Sequence, residues 1–252
     1  MKTIVISNRK GGSAKTTTAV NLAKILAREY SVLLLDTDTQ GHASMGVGQQ
    51  ATVDHGFHSI FTGSTLSSTF IPTYMDKLTL SPASERFDVY EYADLRGVLK
   101  NRFKREKIAD FFDYVIIDTP PTFDGILKNS LEVADAVIIP VVPHHLGVVG
   151  VGQMIRAVYQ ISTEVEKKMA DIGILPVMFN PHINEHKDSV IKLEISFGVE
   201  KLFKPIGNYI ALAQQFEQGD KTPTNRRESK GIDDYGVFAK LLVSRLNHSR
   251  DQ

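Results

Sequence analysis

Five short, almost continuously apolar runs constrain this chain more than any other feature. They are "TIVIS" (Thr3–Ser7), "SVLLLDTD" (Ser31–Asp38), "DYVIIDTPP" (Asp113–Pro121), "DAVIIPVVP" (Asp135–Pro143) and "IGILPVMFNP" (Ile172–Pro181). A strand with one wet face alternates apolar and polar residues. These runs do not alternate, so they read as strands buried on both faces. Helical stretches lie between them: Thr16–Glu29, with Val20, Leu22, Ala23, Ile25 and Leu26 on its apolar side, and the longer Tyr92–Phe112 and Gly147–Ala170. Buried strands joined by helices predict an α/β fold, a mostly parallel twisted sheet with helices on both faces. In such folds ligands sit beyond the carboxyl ends of the strands. Two of the runs deliver acids to that edge. The stretch Ala51–Asp88, rich in Ser and Thr, follows no clear period and is left unassigned. No repeat or linker divides the 252 residues, so one domain, 1–252, is expected.

Composition excludes several classes of function. The chain has no cysteine, so disulfides, thiolate metal sites and iron–sulfur clusters are out, and a reducing compartment is compatible. The start, "MKTIVISNRKGG", does not have the form of a secretion signal. No run approaches the ~20 apolar residues of a membrane-spanning helix. The cytoplasm is the expected location. The net charge of zero gives no global attraction to nucleic acid, so any such contact needs a local basic patch.

The first strand leads into "SNRKGGSAKTTTAVNLAKIL" (Ser7–Leu26). This stretch misses the ordinary phosphate-loop pattern, which places glycines where Arg9 and Ala14 stand. Its physics survives the mismatch. A helix start offers unpaired N–H groups and a partial positive charge, and Gly11 and Gly12 let backbone approach an anion. Lys15 adds a full charge for the β- and γ-phosphates, and the Thr16 hydroxyl can ligate Mg²⁺. Two further segments follow in order. "LLLDTDTQGHAS" (Leu33–Ser44) closes a strand with Asp36 and Asp38, and "DYVIIDTPPT" (Asp113–Thr122) closes another with Asp118. A strand-end Asp after a phosphate loop commonly supports Mg²⁺. Taken singly, each of these acids could be a turn or cap residue.

Together the three segments resemble the ParA/MinD ATPase family, whose deviant Walker A box reads K-G-G-x-G-K-[ST]-T. Lys10, Gly11, Gly12, Lys15, Thr16 and Thr17 match, followed by "AVNLA". Ala14 stands where the family has Gly; if φ is positive there, the loop is strained. The Leu33–Ser44 segment resembles the family's switch I, D-x-D-P-Q-G-x-[AS]-[ST], with Thr39 in place of Pro. The Asp113–Thr122 segment resembles its Walker B strand with a D-x-P-P ending. The resemblance implies a P-loop NTPase fold and hydrolysis of ATP with Mg²⁺ by a nucleotide-sandwich dimer. It implies cofactor contacts from Lys10 to Thr17, including Ser13 and Ala14, and a Mg²⁺ site at Thr16, Asp38 and Asp118. Asp38 would organise the attacking water. Lys10, the family's signature lysine, would reach across a twofold axis to the partner's nucleotide. "VMFNP" (Val177–Pro181) falls where the family often contacts adenine, which nominates Asn180 and Pro181. A cap or turn role for Asn180 is equally open.

Absences sort the branches. Without cysteine the chain is no nitrogenase iron protein or iron–sulfur carrier, and its tail, "RLNHSRDQ", lacks the tyrosine cluster of the related kinases. With the first strand at residue 3, no helix-turn-helix is expected ahead of it. The closest resemblance is to the short, Soj-like ParA proteins. These imply sequence-independent binding to nucleoid DNA in the ATP state, a ParB-like or other adaptor that triggers hydrolysis, and positioning of a plasmid, a chromosome or an assembly such as a carboxysome. Arg226, Arg227, Lys230 and Arg245, in two short basic clusters, are the DNA candidates. The alternative is a MinD-like membrane switch, which needs a terminal amphipathic helix. Phe238, Leu241, Leu242 and Leu246 have that spacing, but the face is expected to pack on the domain body. A third class, small-molecule synthetases built on the same loop, lacks the Lys10/Lys15 pair with this switch I.

Overall fold

Strand β1 (Lys2–Ile6) lies deep inside the sheet because its sequence has no polar face to expose. In this computed structural model the described residues are 1–50, 52–84, 87, 95–166, 168–208 and 226–248, the last stretch with side chains from 230 onward. Among them a seven-stranded sheet runs in the order β4 (Ile71–Pro72), β5 (Leu78–Ser81), β2 (Val32–Asp36), β7 (Tyr114–Asp118), β1, β8 (Ala136–Val141), β9 (Asp171–Pro176). Every pairing is parallel except β4 with β5. β3 (Thr52–Val53) and β6 (Ala83–Ser84) form a separate two-residue ladder.

The helices divide between the two faces as the side chains alternate along each strand. Ile4, Ile6, Val32 and Leu34 face one layer, with α1 (Lys15–Leu26) and the terminal helix, α7 (Arg226–His248). Val5, Leu33 and Leu35 face the other, with α3 (Val98–Arg105), α4 (Gly125–Val133) and α5 (His145–Glu164). Two further helices, α2 (His42–Gly46) and α6 (Asn184–Phe197), complete the set among the described residues. The predicted mostly parallel α/β sheet is therefore the fold observed.

Several boundaries differ from the sequence reading. The second strand stops at Asp36 rather than Asp38, and the last at Pro176, two residues before Met178 turns left-handed (φ 54°). The helix expected over Tyr92–Phe112 is only α3, framed by left-handed Gly97 and Lys107; residues 92–94 lie outside the described set. The helix expected over Gly147–Ala170 begins at His145 and ends at Glu164, with Glu166 left-handed just beyond it. The unassigned stretch holds β5, which pairs with β2 across four residues.

In α7, Phe238, Leu242 and Leu246 are buried, while Leu241 is 48% exposed. Three of the four residues with membrane-helix spacing are thus spent on the domain body. Among the described residues no helix is long and apolar enough to cross a membrane.

Candidate nucleotide site

The strand register brings three chain segments to one point. Ile6, the last residue of β1, is level with Asp118, and Asp118 is level with Asp36. The loop after β1 therefore rises beside the two acids. Asn8 holds the loop's base: its Nδ2 donates to the Pro140 carbonyl (2.7 Å) and its Oδ1 accepts from the Lys10 amide (3.0 Å). The Ser13 hydroxyl donates back to the Lys10 carbonyl (3.0 Å).

The loop closes through two left-handed residues, Gly12 (φ 70°) and Ala14 (φ 58°, ψ 33°), and Ala14 then opens α1. For alanine this conformation costs about 1–2 kcal/mol. We expect Ala14→Gly to relieve the strain and, after the extra chain entropy of glycine, to gain up to about 1 kcal/mol. That corresponds to a melting rise of about 2–4 °C. Ala14→Val should melt lower than the parent, because a branched side chain is worse still in this region. Thermal melts of the two variants check both signs.

A Cβ added at Gly11 would meet nothing of the protein within 4 Å, and no positive φ requires glycine there. The chain's own packing does not explain that residue, whereas close approach of an anion to the backbone does.

Lys15 is 8% exposed at the first position of α1. Burial pushes its pKa down, and the charges of Asp118 and then Asp38 oppose this. Asp118 is wholly buried, and burial, reinforced by Asp36, raises its pKa well above the ordinary carboxylate value. The Thr16 hydroxyl and Lys15 pull it the other way. Neither Asp118 oxygen nevertheless accepts a hydrogen bond of ordinary geometry. The buried Asp36 takes two bonds on Oδ2, from the Ser44 amide and hydroxyl (2.7 Å each), and Oδ1 has none. Burial raises its pKa to about 7 against those two bonds; the Asp38 charge adds to the rise, and the Asp38 backbone amide opposes it. Buried carboxylate oxygens are ordinarily paired or bound to metal. Three bare ones beneath a phosphate-type loop fit a divalent cation, with Thr16 and Asp118 at hand to hold it. Asp38 follows, half-buried, its Oδ1 accepting from the Gln40 amide (3.1 Å).

The structure thus gathers Lys15, Thr16, Asp38 and Asp118 at one sheet edge and adds Asp36, to which the sequence reading gave no role. The register of the two strand ends is the signal that would have found it. Lys10 is exposed, and in the single chain its Nζ lies 2.8 Å from His144 Nε2. His144 in turn caps α5, its Nδ1 accepting from the Gly147 amide (3.0 Å). Burial and then the Lys10 charge lower the pKa of that ring. Thr17 is half-buried, its carbonyl accepting from Asn21 (2.8 Å). Asn180 and Pro181 sit in the turn beyond β9, where Asn180 Oδ1 accepts from the His182 amide (2.9 Å). That oxygen is engaged in a turn, the second of the two roles open from sequence.

Of the DNA candidates, Lys230 is exposed. Arg226 and Arg227 fall in the first turn of α7, and their side chains lie outside the described residues. Arg245 does not fit the expectation. Its guanidinium pairs with Asp171 and donates to the carbonyls of Ile172 and Glu200, tying α7 to β9.

The AAA domain family model matches residues 1–171. The sporulation initiation inhibitor protein Soj of Bacillus subtilis is 32% identical over 250 residues, covering 96% of this chain and 98% of that protein. The chain belongs to the ParA/MinD superfamily of ATPases, on its Soj-like branch. This ParA-type chain is also 27% identical over 252 residues to the chromosome-partitioning ATPase Soj of Thermus thermophilus, covering 99% of the chain and 98% of the relative. In fold it resembles Cyanothece McdA in complex with ATP, with a TM-score of 0.83, 22% identity and 96% of each chain covered. Cobyrinic acid a,c-diamide synthase of Mycobacterium smegmatis with ADP and magnesium aligns at a TM-score of 0.79 and 25% identity, over 96% of this chain and 94% of that one. Fold likeness therefore reaches the synthetases too. The higher identity, 32% over 250 residues, is with the Soj of Bacillus subtilis.

Proposed function

We propose that this ParA-type protein hydrolyses ATP to ADP and phosphate as a nucleotide-sandwich dimer. In the ATP state it binds DNA without sequence preference, and with an adaptor protein it positions a cargo, either DNA or a protein assembly. The observation that carries the reading is the meeting of Lys15, Thr16, Asp38 and the unpaired Asp118 carboxylate beneath the Gly11–Ala14 loop. Lys15 and the loop amides hold the β- and γ-phosphates. Asp38, beside them, orients the attacking water and draws on its proton. Thr16 and Asp118 would hold Mg²⁺, which when bound would neutralise the charge that builds on the phosphate oxygens. Lys10 lies on the exposed side of the loop and leaves His144 to reach the partner's nucleotide. ATP then stabilises the dimer by linkage, and loss of the γ-phosphate releases it.

Lys230, together with Arg226 and Arg227, is the proposed DNA contact. Dimerisation doubles such a patch, and phosphate contacts alone give salt-sensitive, sequence-independent affinity. The test combines light scattering with DNA retention. A non-cleavable ATP analogue should double the mass and retain DNA, while ADP does neither. Changing Arg226, Arg227 and Lys230 to Glu should abolish retention and leave the dimer intact; undiminished retention refutes the patch. Sedimentation with liposomes in place of DNA would instead favour the membrane-switch alternative. Cytoplasmic, nucleoid-associated localisation follows from the DNA reading.

A further inference from the structure

His58 is wholly buried, yet neither of its ring nitrogens is spent on another side chain. Nδ1 accepts from the Ser84 amide (3.1 Å). In the neutral ring the proton is then on Nε2, which lies 3.2 Å from the Thr37 carbonyl and donates to it. Burial holds the ring neutral, pushing its pKa down to about 4.

Thr37 is the residue between the two acids of switch I, and its other groups are fastened as well. Its amide and hydroxyl both donate to the Asp118 carbonyl, at 3.1 and 2.7 Å. One hydrogen-bonded chain therefore runs from the end of β7 through Thr37 and His58 to β6. The turn carrying His58 is itself pressed against backbone. The Phe57 amide donates to the Pro82 carbonyl (2.6 Å), and a Cβ at Gly56 would stand 2.3 Å from that same oxygen. Phe57 and Phe87 flank the imidazole, with ring centroids 5.5 and 4.7 Å away. An apolar side chain could fill this space but would leave the buried Ser84 amide and Thr37 carbonyl without these partners, so the imidazole answers to its two hydrogen bonds and not to packing alone.

We propose that His58 is a positioning residue for hydrolysis, a strut that fixes the Thr37 carbonyl and through it the placing of Asp38 against the phosphate loop. Thr37 precedes Asp38 directly, so rotation of its peptide swings the Asp38 backbone. The proposal rests on the reading of this site as an ATPase, and the test separates the two.

Two isosteric half-replacements divide the ring's functions. The amide nitrogen of His58→Gln can stand at Nε2, keeping the bond to Thr37 and losing the acceptor for Ser84. The amide oxygen of His58→Asn can stand at Nδ1 and does the reverse. Both are made in the full chain and are expected to melt lower than the parent. In nucleotide-free protein, hydrogen exchange over residues 37–41 should quicken about tenfold in His58→Asn and stay within about threefold in His58→Gln. With Mg²⁺ and ATP, kcat should fall at least about tenfold in His58→Asn with KM held within about threefold, and be largely retained in His58→Gln. Equal exchange in the two variants overturns the proposal, as does equal kcat. If the parent itself turns over no ATP, the ATPase reading fails, and the exchange contrast alone still decides whether His58 holds switch I.

Discussion

Asp118→Asn is expected to stop ATP turnover and yet make the metal-free protein harder to melt. Both halves follow from one carboxylate. Asp118 is wholly buried, its oxygens accept no hydrogen bond of ordinary geometry, and its pKa is raised well above the usual range by burial and by Asp36. An acid that holds its proton more tightly when folded gives the native state more bound protons than the unfolded chain. Stability then falls as pH rises from the ordinary carboxylate value through the folded one. Asp36, at about 7, places its part of that loss across the acid-to-neutral range, and the raised Asp118 adds loss of the same sign. A neutral Asn removes the larger part of the cost. In EDTA, the melting advantage of Asp118→Asn over the parent should widen between pH 5 and pH 8. Mg²⁺ with a non-cleavable analogue should raise the melting point of the parent and not that of the variant. Turnover should fall at least about a hundredfold, the scale of losing one preorganised electrostatic group. A variant that melts below the parent at pH 8 without metal would show that Asp118 is held by contacts other than a cation.

The second large effect is expected at Lys10. Lys10→Ala keeps Lys15 and the loop amides, so nucleotide binding by one chain should change by no more than a few-fold. The analogue-dependent dimer should weaken at least about thirtyfold, the low end for losing one partner of a desolvated charge pair, and turnover should fall with it. A mixing experiment tells a trans role from a local one. Lys10→Ala and Asp118→Asn are each expected to be largely inactive alone. Their mixed dimer contains one site with its own Asp118 and the partner's intact Lys10. Combining them should restore turnover, up to about half in the mixed dimer, since one of its two sites is complete. Recovery of nothing, with mixed dimers present, would confine Lys10 to its own chain. Its contact with His144 would then be its function.

Much of this site was legible because local patterns carry it. A buried strand, a glycine loop, a helix start and two strand-end acids are written in consecutive residues, and a parallel sheet brings such ends together. The left-handed conformation at Ala14 was also foreseeable, since glycine is the usual residue there. What escaped depends on distant partners. β5 is only four residues long inside a Ser- and Thr-rich stretch, and its pairing with β2 makes it a strand. His58 reads as an isolated histidine until Thr37 and Ser84, 21 and 26 residues away, close on it. Arg245 looked like half of a basic cluster because sequence shows neighbours along the chain. Its real neighbour is Asp171, 74 residues earlier. Asp36 matched its motif, yet its burial and its bare oxygen are properties of the assembled sheet.

Both margins of the seven-stranded sheet are blunted. On one side the outermost strand is two residues long and ends in Pro72, which has no N–H to offer a newcomer. On the other, Phe203 and Ile206 donate to the carbonyls of Ile174 and Pro176, so the chain itself occupies part of that rim. Association on a nucleotide cue, as proposed above, requires that no route to association ignore the cue. With the lateral routes obstructed at either flank among the described residues, the dimer proposed above would have to form where the loops are, and there fuel would govern the encounter.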